Sequence, residues 1–177
     1  MKKIILIAVI MLLFTACGES KQEETTIMVS GNTVTVRNYA EILNIAKKHI
    51  ETGFESAIYV TGRMEETSRY VFSDESFKIV LQELCEQNDI KEQLDILREI
   101  VNESEDAMKT LESLKKEEHE RTFALMEQLY ENFLQIAQVA LSTNHTHEDF
   151  GSLLNTQIND FRTLSQQLTG EEVESHD

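Results

Sequence analysis

Four side chains of the kind that bind transition metals lie close together in one short segment: His145, His147, Glu148 and Asp149. Imidazole and carboxylate groups together suit Zn or Cu. Their spacing matches no established zinc motif, so the remaining ligands would have to come from elsewhere in the chain. A loop between two helices explains the same residues without a metal, because Thr146 would cap the second helix and the acids would favour its N terminus. We therefore keep the four as candidate ligands and predict no bound metal or other cofactor.

Motifs that support catalysis are missing from the sequence. No Glu lies three residues before any of the five His residues, so the Glu-x-x-His pairs of a di-iron helical bundle are absent. The hydrolase elbow Gly-x-Ser-x-Gly, the metalloprotease motif His-Glu-x-x-His and the glycine-rich phosphate loops are absent as well. Paired carboxylates are common only because the chain has 32 Asp and Glu against 16 Lys and Arg. These observations predict a protein that is not an enzyme.

The first seventeen residues carry the most specific pattern in the chain. Lys2 and Lys3 precede an uninterrupted apolar run over 4–14. Eleven helical residues reach about 16 Å, half the thickness of a bilayer core, so the run is typical of a signal peptide and not of a membrane-spanning helix. The run ends in Leu13-Phe14-Thr15-Ala16-Cys17. This sequence resembles the lipobox of bacterial lipoproteins.

The lipoprotein resemblance implies a diacylglyceryl group on the thiol of Cys17, followed by cleavage between Ala16 and Cys17. It also implies a place in the bacterial cell envelope. Gly18 stands where an Asp would signal retention in the inner membrane of a Gram-negative cell, so the outer membrane is favoured if there is one. A single acyl chain holds a protein on a membrane only marginally, and a lipidated Cys17 carries at least two.

The charge of the chain limits its partners. The net charge is −16, which argues against nucleic acid, since phosphates are bound mainly by Lys and Arg. Removal of residues 1–16 takes away Lys2 and Lys3 and brings the net charge to −18. A body this acidic is repelled by anionic headgroups, so the lipid must supply the membrane attachment.

The rest of the chain divides into four segments by composition and periodicity. Residues 17–25 are polar and predict a flexible, lipidated tether. Residues 26–37 alternate apolar and polar side chains around Gly31-Asn32 and predict a β-hairpin packed on the helices, with Ile27 opposite Val36 and Val29 opposite Val34. Residues 38–169 are helical in pattern. Residues 170–177 form an acidic, frayed tail, with Gly170 as the helix stop.

Apolar residues recur every three or four positions through the helical segment, which indicates several amphipathic helices. Caps are predicted at Asn38, Ser73 and Asp89. Gly53 and Gly62 either interrupt the first helix or let a neighbouring helix approach closely. Residues 74–88 are either a short helix or the first part of a longer, bent one. Short connections favour antiparallel neighbours, so we predict a mainly α fold, an antiparallel up-down bundle of four to five helices with a short N-terminal hairpin. A long coiled coil is the structural alternative.

Two side chains of possible chemical interest have ordinary interpretations. Cys85 is alone once Cys17 is acylated, and its neighbours in the helical pattern make it a small core residue. His119 lies within a run of Glu and is predicted to be on a solvated acidic face.

Three functions are compatible with these features. The first is a lipid-anchored accessory module that recognises a protein partner, which predicts an exposed apolar patch. The second is a lipoprotein that binds a small ligand or metal in an interhelical cavity or at the His145/His147 loop, which predicts a pocket with convergent polar groups. The third is a spacer, which predicts neither.

Overall fold

The computed structural model describes residues 25–29, 32–36, 38–71, 73–143 and 147–174. Two strands, β1 (Thr25–Val29) and β2 (Asn32–Val36), precede five helices. The helices are α1 (Tyr39–Ser68), α2 (Asp74–Cys85), α3 (Asn88–Ser113), α4 (Glu120–Leu141) and α5 (His147–Glu174), and a short 3-10 turn at Glu117–His119 precedes α4. The protein is therefore mainly helical with a two-stranded antiparallel sheet at its N-terminal side, which confirms the predicted fold class at this level.

The hairpin forms with a different register from the predicted one. Ile27 pairs with Val34, and Val29 pairs with Asn32. Each β1 residue thus pairs two positions earlier on β2 than predicted, and the predicted turn residue Gly31 lies outside the described residues. Glycine is favoured at either position of a two-residue loop, so the sequence signal locates the turn only to within one residue. A shift of two keeps the apolar side chains on one face, and Ile27 and Val36 are both buried.

The predicted N-terminal caps of α1 and α2 are confirmed. The Asn38 side chain accepts a hydrogen bond from the backbone N–H of Glu41 at 2.9 Å, and Ser73 accepts one from Ser76 at 3.3 Å. The predicted cap at Asp89 is wrong, because α3 already begins at Asn88. The carboxylate of Asp89 instead accepts a hydrogen bond from the Tyr59 hydroxyl at 2.9 Å. The side chain thus joins α3 to α1 and also accepts from the backbone N–H of Ile90 in the first turn of its own helix.

The apolar stripes read from the sequence form one hydrophobic core. All eight stripe positions of α1 are buried: Tyr39, Leu43, Ala46, Ile50, Phe54, Ala57, Thr61 and Met64. The stripes of α3 and α4 are also buried apart from Val101 and Tyr130, which are partly buried. In α5 the core includes Leu154, Phe161 and Leu168. Burial of these faces supplies most of the stability that helices of this kind need.

Three glycines of the helices have different outcomes. Helix α1 is continuous through Gly53 and Gly62. A Cβ at Gly53 would lie 2.7 Å from Cγ2 of Ile100 and 2.7 Å from Cζ of Phe133, so this glycine lets α3 and α4 approach α1 closely. No atom lies within 4 Å of a Cβ at Gly62. Gly170 is not a helix stop, since α5 runs through it to Glu174.

Contacts between the long helices follow a regular order. Helix α1 meets α3 at His49 and Glu103, at Gly53 and Ile100, and at Tyr59 and Asp89. Positions that rise along α1 therefore meet positions that fall along α3.

The contacts of α5 have the same order. They are Lys47 with Thr169, Glu51 with Ser165, and Phe54 with Phe161. Helix α5 also packs along α4, whereas α2 contacts only α1 and α3 among the closely packed helix pairs. In the described part of the chain, every helix is too short or too polar to cross a bilayer.

Candidate functional site

Most of the sites predicted from sequence lie where the structure gives no side chains. Cys17 and His145 are outside the described residues. His147, Glu148 and Asp149 open α5, but their side chains are likewise outside the description. Among the side chains that are described, no three His, Cys, Asp or Glu converge as metal ligands would. Lipidation and the His145/His147 loop therefore stay predictions.

The described thiol, Cys85, lies half-buried at the C-terminal end of α2. Burial raises the pKa of this thiol, and Glu86 raises it further, whereas Arg98 opposes them. The thiol is therefore protonated near neutral pH, and a thiol is a much weaker nucleophile than a thiolate. Its packing against the core agrees with the structural role expected from the sequence.

His119 is only partly solvated: its side chain is 22% exposed, and its Nε2 lies 3.5 Å from Oε1 of Glu118. Its ring stacks on that of Tyr39, with centroids 3.8 Å apart and planes at 8°. Its Nδ1 accepts a hydrogen bond from the backbone N–H of Lys116 at 3.2 Å. The 3-10 turn before α4 directs the ring towards α1, a change of direction that helical periodicity does not reveal. Burial and the nearby Glu120 raise the pKa of the Tyr39 phenol to about 12, so this stack contains a neutral tyrosine.

A buried polar pair, absent from the sequence predictions, joins α1 to α3. His49 is buried, and its Nε2 lies 2.9 Å from Oε2 of Glu103, whose side chain is also largely covered. The Glu103 carboxylate thus lies at hydrogen-bond distance from the imidazole. Burial lowers the pKa of His49, while the charges of Glu103 and Glu99 act in the opposite direction. The folded protein therefore favours the neutral imidazole.

This pair predicts acid sensitivity. Because the pKa of His49 is lower in the folded than in the unfolded chain, the unfolded chain binds the proton more readily. Stability should be complete above the unfolded value of about 6.5 and decline as the pH falls below it. We expect the melting temperature between pH 7 and pH 5 to fall less steeply for His49→Gln than for wild type. An unchanged slope in His49→Gln would contradict this account.

Large apolar side chains remain exposed around α2. Tyr70, just after α1, is 83% exposed, and Ile79, in the middle of α2, is 52% exposed. Glu75 and Glu83 lie one helical turn before and after Ile79 on the same exposed face. Exposed apolar side chains mark an interaction site when they form one contiguous patch.

A polar cleft of about 440 Å³ separates the exposed edges of α4 and α5. Amides, carboxylates and one hydroxyl line it almost entirely: Gln128, Glu131, Asn132, Gln135, Asp160, Thr163 and Gln167, with Leu164 as the apolar member. Next to it, Gln157 is buried and donates from Nε2 to Oε1 of Gln135 at 2.9 Å. The cleft thus has convergent polar groups, one of the features expected of a small-ligand site.

A second groove, of about 310 Å³, is apolar. It lies between α3 and the C-terminal part of α4, and Val101, Leu134, Ala137 and Leu141 form most of its surface. These residues belong to the partly or fully buried stripes of the two helices. The groove is therefore an extension of the core to the surface.

Comparison with protein families, curated proteins and solved structures found no match. The assignment of function depends on the residues themselves. The α4–α5 cleft had a detectable signal in the sequence, since Gln128, Asn132 and Gln135 recur at helical spacing beside the apolar stripe of α4. The exposure of Ile79 had no signal in the sequence, because an isolated Ile in an amphipathic helix is equally compatible with burial.

Proposed function

We propose that this protein is a lipid-anchored, non-catalytic interaction module of the bacterial cell envelope that binds a protein partner. The Leu13–Cys17 lipobox supports the anchor, and Gly18 favours the outer membrane in a Gram-negative cell. The eight residues after Cys17 span at most about 27 Å, so the partner would lie close to the same membrane. The acidic body, with no motif for catalysis, supports a binding role.

For the body we propose an up-down bundle of four long helices, α1, α3, α4 and α5, with α2 within the connection between the first two. The order of contacts supports it, because rising positions on α1 meet falling positions on both α3 and α5. The contact of Gly53 with Phe133 and the stacking of Tyr39 with His119 support a parallel course of α1 and α4. This topology leaves the outer face of α2 without a neighbouring helix.

The exposure of Tyr70 and Ile79 is the observation that carries the proposed partner surface. Because Glu75 and Glu83 flank Ile79, the complementary partner surface would have an apolar centre and basic residues around it. The net charge of the chain would accelerate association with such a partner. We call the surface formed by Glu75, Ile79 and Glu83 the α2 face.

Loss of the anchor is tested by Cys17→Ser. Serine cannot form the thioether to diacylglyceryl, so we expect the protein to leave the membrane fraction and to incorporate no labelled palmitate. Cys85→Ser is the matched control and should behave as wild type, because its thiol is not the predicted acylation site. Membrane fractionation of wild-type protein without palmitate incorporation would refute lipidation as the means of attachment.

The α2 face is tested by in-cell photocrosslinking from position 79. We expect one discrete adduct from a photoreactive residue at Ile79, and none from Lys91, an exposed position on α3. The double variant Glu75→Lys/Glu83→Lys should reduce the adduct at least tenfold, because the new lysines would repel the basic residues of the proposed partner. Glu112→Lys/Glu127→Lys changes the net charge equally on other helices and should leave it within twofold. Equal losses in both double variants, or no adduct at all, would contradict this surface and favour the spacer role.

A further inference from the structure

Strand β2 forms an open edge of the two-stranded sheet. In the described part of the chain the sheet contains only β1 and β2, so one side of each strand has no neighbouring strand. Strand β1 packs on α3, whereas no helix among the described elements packs along β2 to a similar extent. Alternate residues of an antiparallel strand direct their N–H and C=O groups away from the paired strand. The outer edge of β2 can therefore accept one more strand.

This edge lacks the features that usually prevent further pairing. Natural edge strands are protected by charged side chains, proline, bulges or very short length. Strand β2 has five residues, Asn-Thr-Val-Thr-Val, without charge or proline, and it pairs with β1 residue by residue without a bulge. Thr33 and Thr35 are exposed on one face of the sheet, while Ile27 and Val36 are buried on the other. The strand thus has the β-branched composition of an interior strand, although it lies at the edge.

The charge of the chain indicates what kind of strand fits here. Residues 25–36 include no charged side chain, although Asp, Glu, Lys and Arg make up 27% of the sequence and its net charge is −16. Two copies of so acidic a protein repel each other. Like charges directly opposite each other also destabilise a strand pair, and the hairpin contributes none. A second copy can therefore dock at this edge without a local electrostatic penalty.

We propose that two copies of this protein pair through antiparallel β2 strands and form a four-stranded sheet in the order β1-β2-β2-β1. With Val34 at the two-fold axis, Thr33 lies opposite Thr35 of the second copy, and Thr–Thr pairs across strands are favourable. This register keeps the buried faces of the two hairpins on the same side of the sheet. The contact uses the same edge of both copies, and the outermost strands are then the β1 strands, which pack on α3. The assembly therefore closes as a dimer.

The dimer contact lies far from the α2 face. The hairpin directly precedes α1, whereas α2 follows the other end of that helix. Helix α1 has 30 residues and is about 45 Å long, so pairing leaves the α2 face free. A five-residue strand is only about 17 Å long, so the contact is small and the dimer should be weak in solution. On a membrane the lipid anchor would raise the local concentration of both copies, a step that rests on the proposed function.

The proposal is tested first in cells that express the full chain with two different epitope tags. We expect a photoreactive residue at Thr35 to give an adduct that contains both tags, and one at Lys91, an exposed position on α3, to give none. An adduct from Thr35 that contains only another protein would overturn the proposal, because the edge would then accept a strand of different origin.

Sedimentation of the purified full-length protein in detergent measures the dimer directly. Thr33→Lys/Thr35→Lys should weaken it at least tenfold, because lysines would face lysines across the strand pair even though the variant is less acidic overall. Thr52→Lys/Thr163→Lys makes the same change at exposed threonines of α1 and α5 and should not weaken the dimer. Equal weakening by both double variants, or a wild-type protein that is monomeric at every concentration, would contradict the pairing.

Hydrogen exchange keeps the test decisive if the lysine variant loses its hairpin. In the wild-type protein, amides of β2 should exchange at least fivefold more slowly when the concentration is raised through the dissociation constant, while amides of α2 should not change. Slower exchange in α2 in place of β2 would assign self-association to the α2 face and overturn the proposal. Sedimentation and exchange do not require the lipid, so a failure of the proposed anchor would leave both results unchanged.

Discussion

Replacing Gly53 with Ala should destabilise the protein by about 2 kcal/mol, although Ala is the better helix former. The new methyl group would lie 2.7 Å from Ile100 and from Phe133, closer than nonbonded carbon atoms approach. Phe133 is fully buried and Ile100 nearly so, hence neither can move into solvent. Overpacking of a core costs about 1–3 kcal/mol. At Gly53 we expect the upper part of that range, which exceeds the gain of about 1 kcal/mol in helix propensity.

Gly62→Ala is the matched control within the same helix. Nothing lies within 4 Å of its Cβ, so only the propensity gain remains, and stability should rise by about 0.5–1 kcal/mol. Chemical denaturation followed by circular dichroism measures both changes. Phe133→Leu removes the ring atom that meets the methyl group, so its cost should be smaller in the Gly53→Ala background than in wild type. Stabilisation by Gly53→Ala would show that α1 does not approach α3 and α4 as closely as described.

These two glycines show where sequence reasoning stops. Helical periodicity placed both glycines inside one helix. A glycine that interrupts a helix and a glycine that lets a neighbouring helix approach closely leave the same local sequence pattern. Which neighbour meets a glycine depends on the relative rotation of the helices, a tertiary property that a single helical stripe does not contain. The buried stripe of α1 was predictable because burial of one face is a local requirement of an amphipathic helix.

The hairpin register and the position of His119 have the same explanation. The hairpin pattern correctly placed the apolar side chains on one face, but it fixed the turn only to within one residue. For His119, the surrounding Glu residues suggested solvent, whereas the 3-10 turn directs the ring to Tyr39. At the α4–α5 cleft, the helical spacing of Gln128, Asn132 and Gln135 was visible in the sequence. That these side chains line a cleft with α5 depends on how the two helices pack.

Phe161→Ala should cost more than any other substitution considered, about 3–4 kcal/mol. Phe161 is almost completely buried, and its ring stacks on Phe54 of α1 with centroids 3.9 Å apart and planes at 2°. Truncation removes the buried ring surface, leaves a cavity and ends the aromatic contact. Two polar contacts accompany the ring along this interface: Ser165 donates to Glu51 at 2.6 Å, and Lys47 donates to Thr169 at 2.8 Å.

The polar contacts cannot replace the aromatic one. Thr169→Ala removes an exposed acceptor and should cost less than about 1 kcal/mol, which makes it the control for α5. In a double-mutant cycle, Phe54→Ala and Phe161→Ala should be coupled by about 1 kcal/mol. Hydrogen exchange should increase more in α5 than in α3, because Phe161 belongs to the contact that holds α5 on α1. A cost below 1 kcal/mol, or no coupling with Phe54, would show that α5 does not pack on α1 as described. The wall that α5 contributes to the polar cleft would then also lie elsewhere.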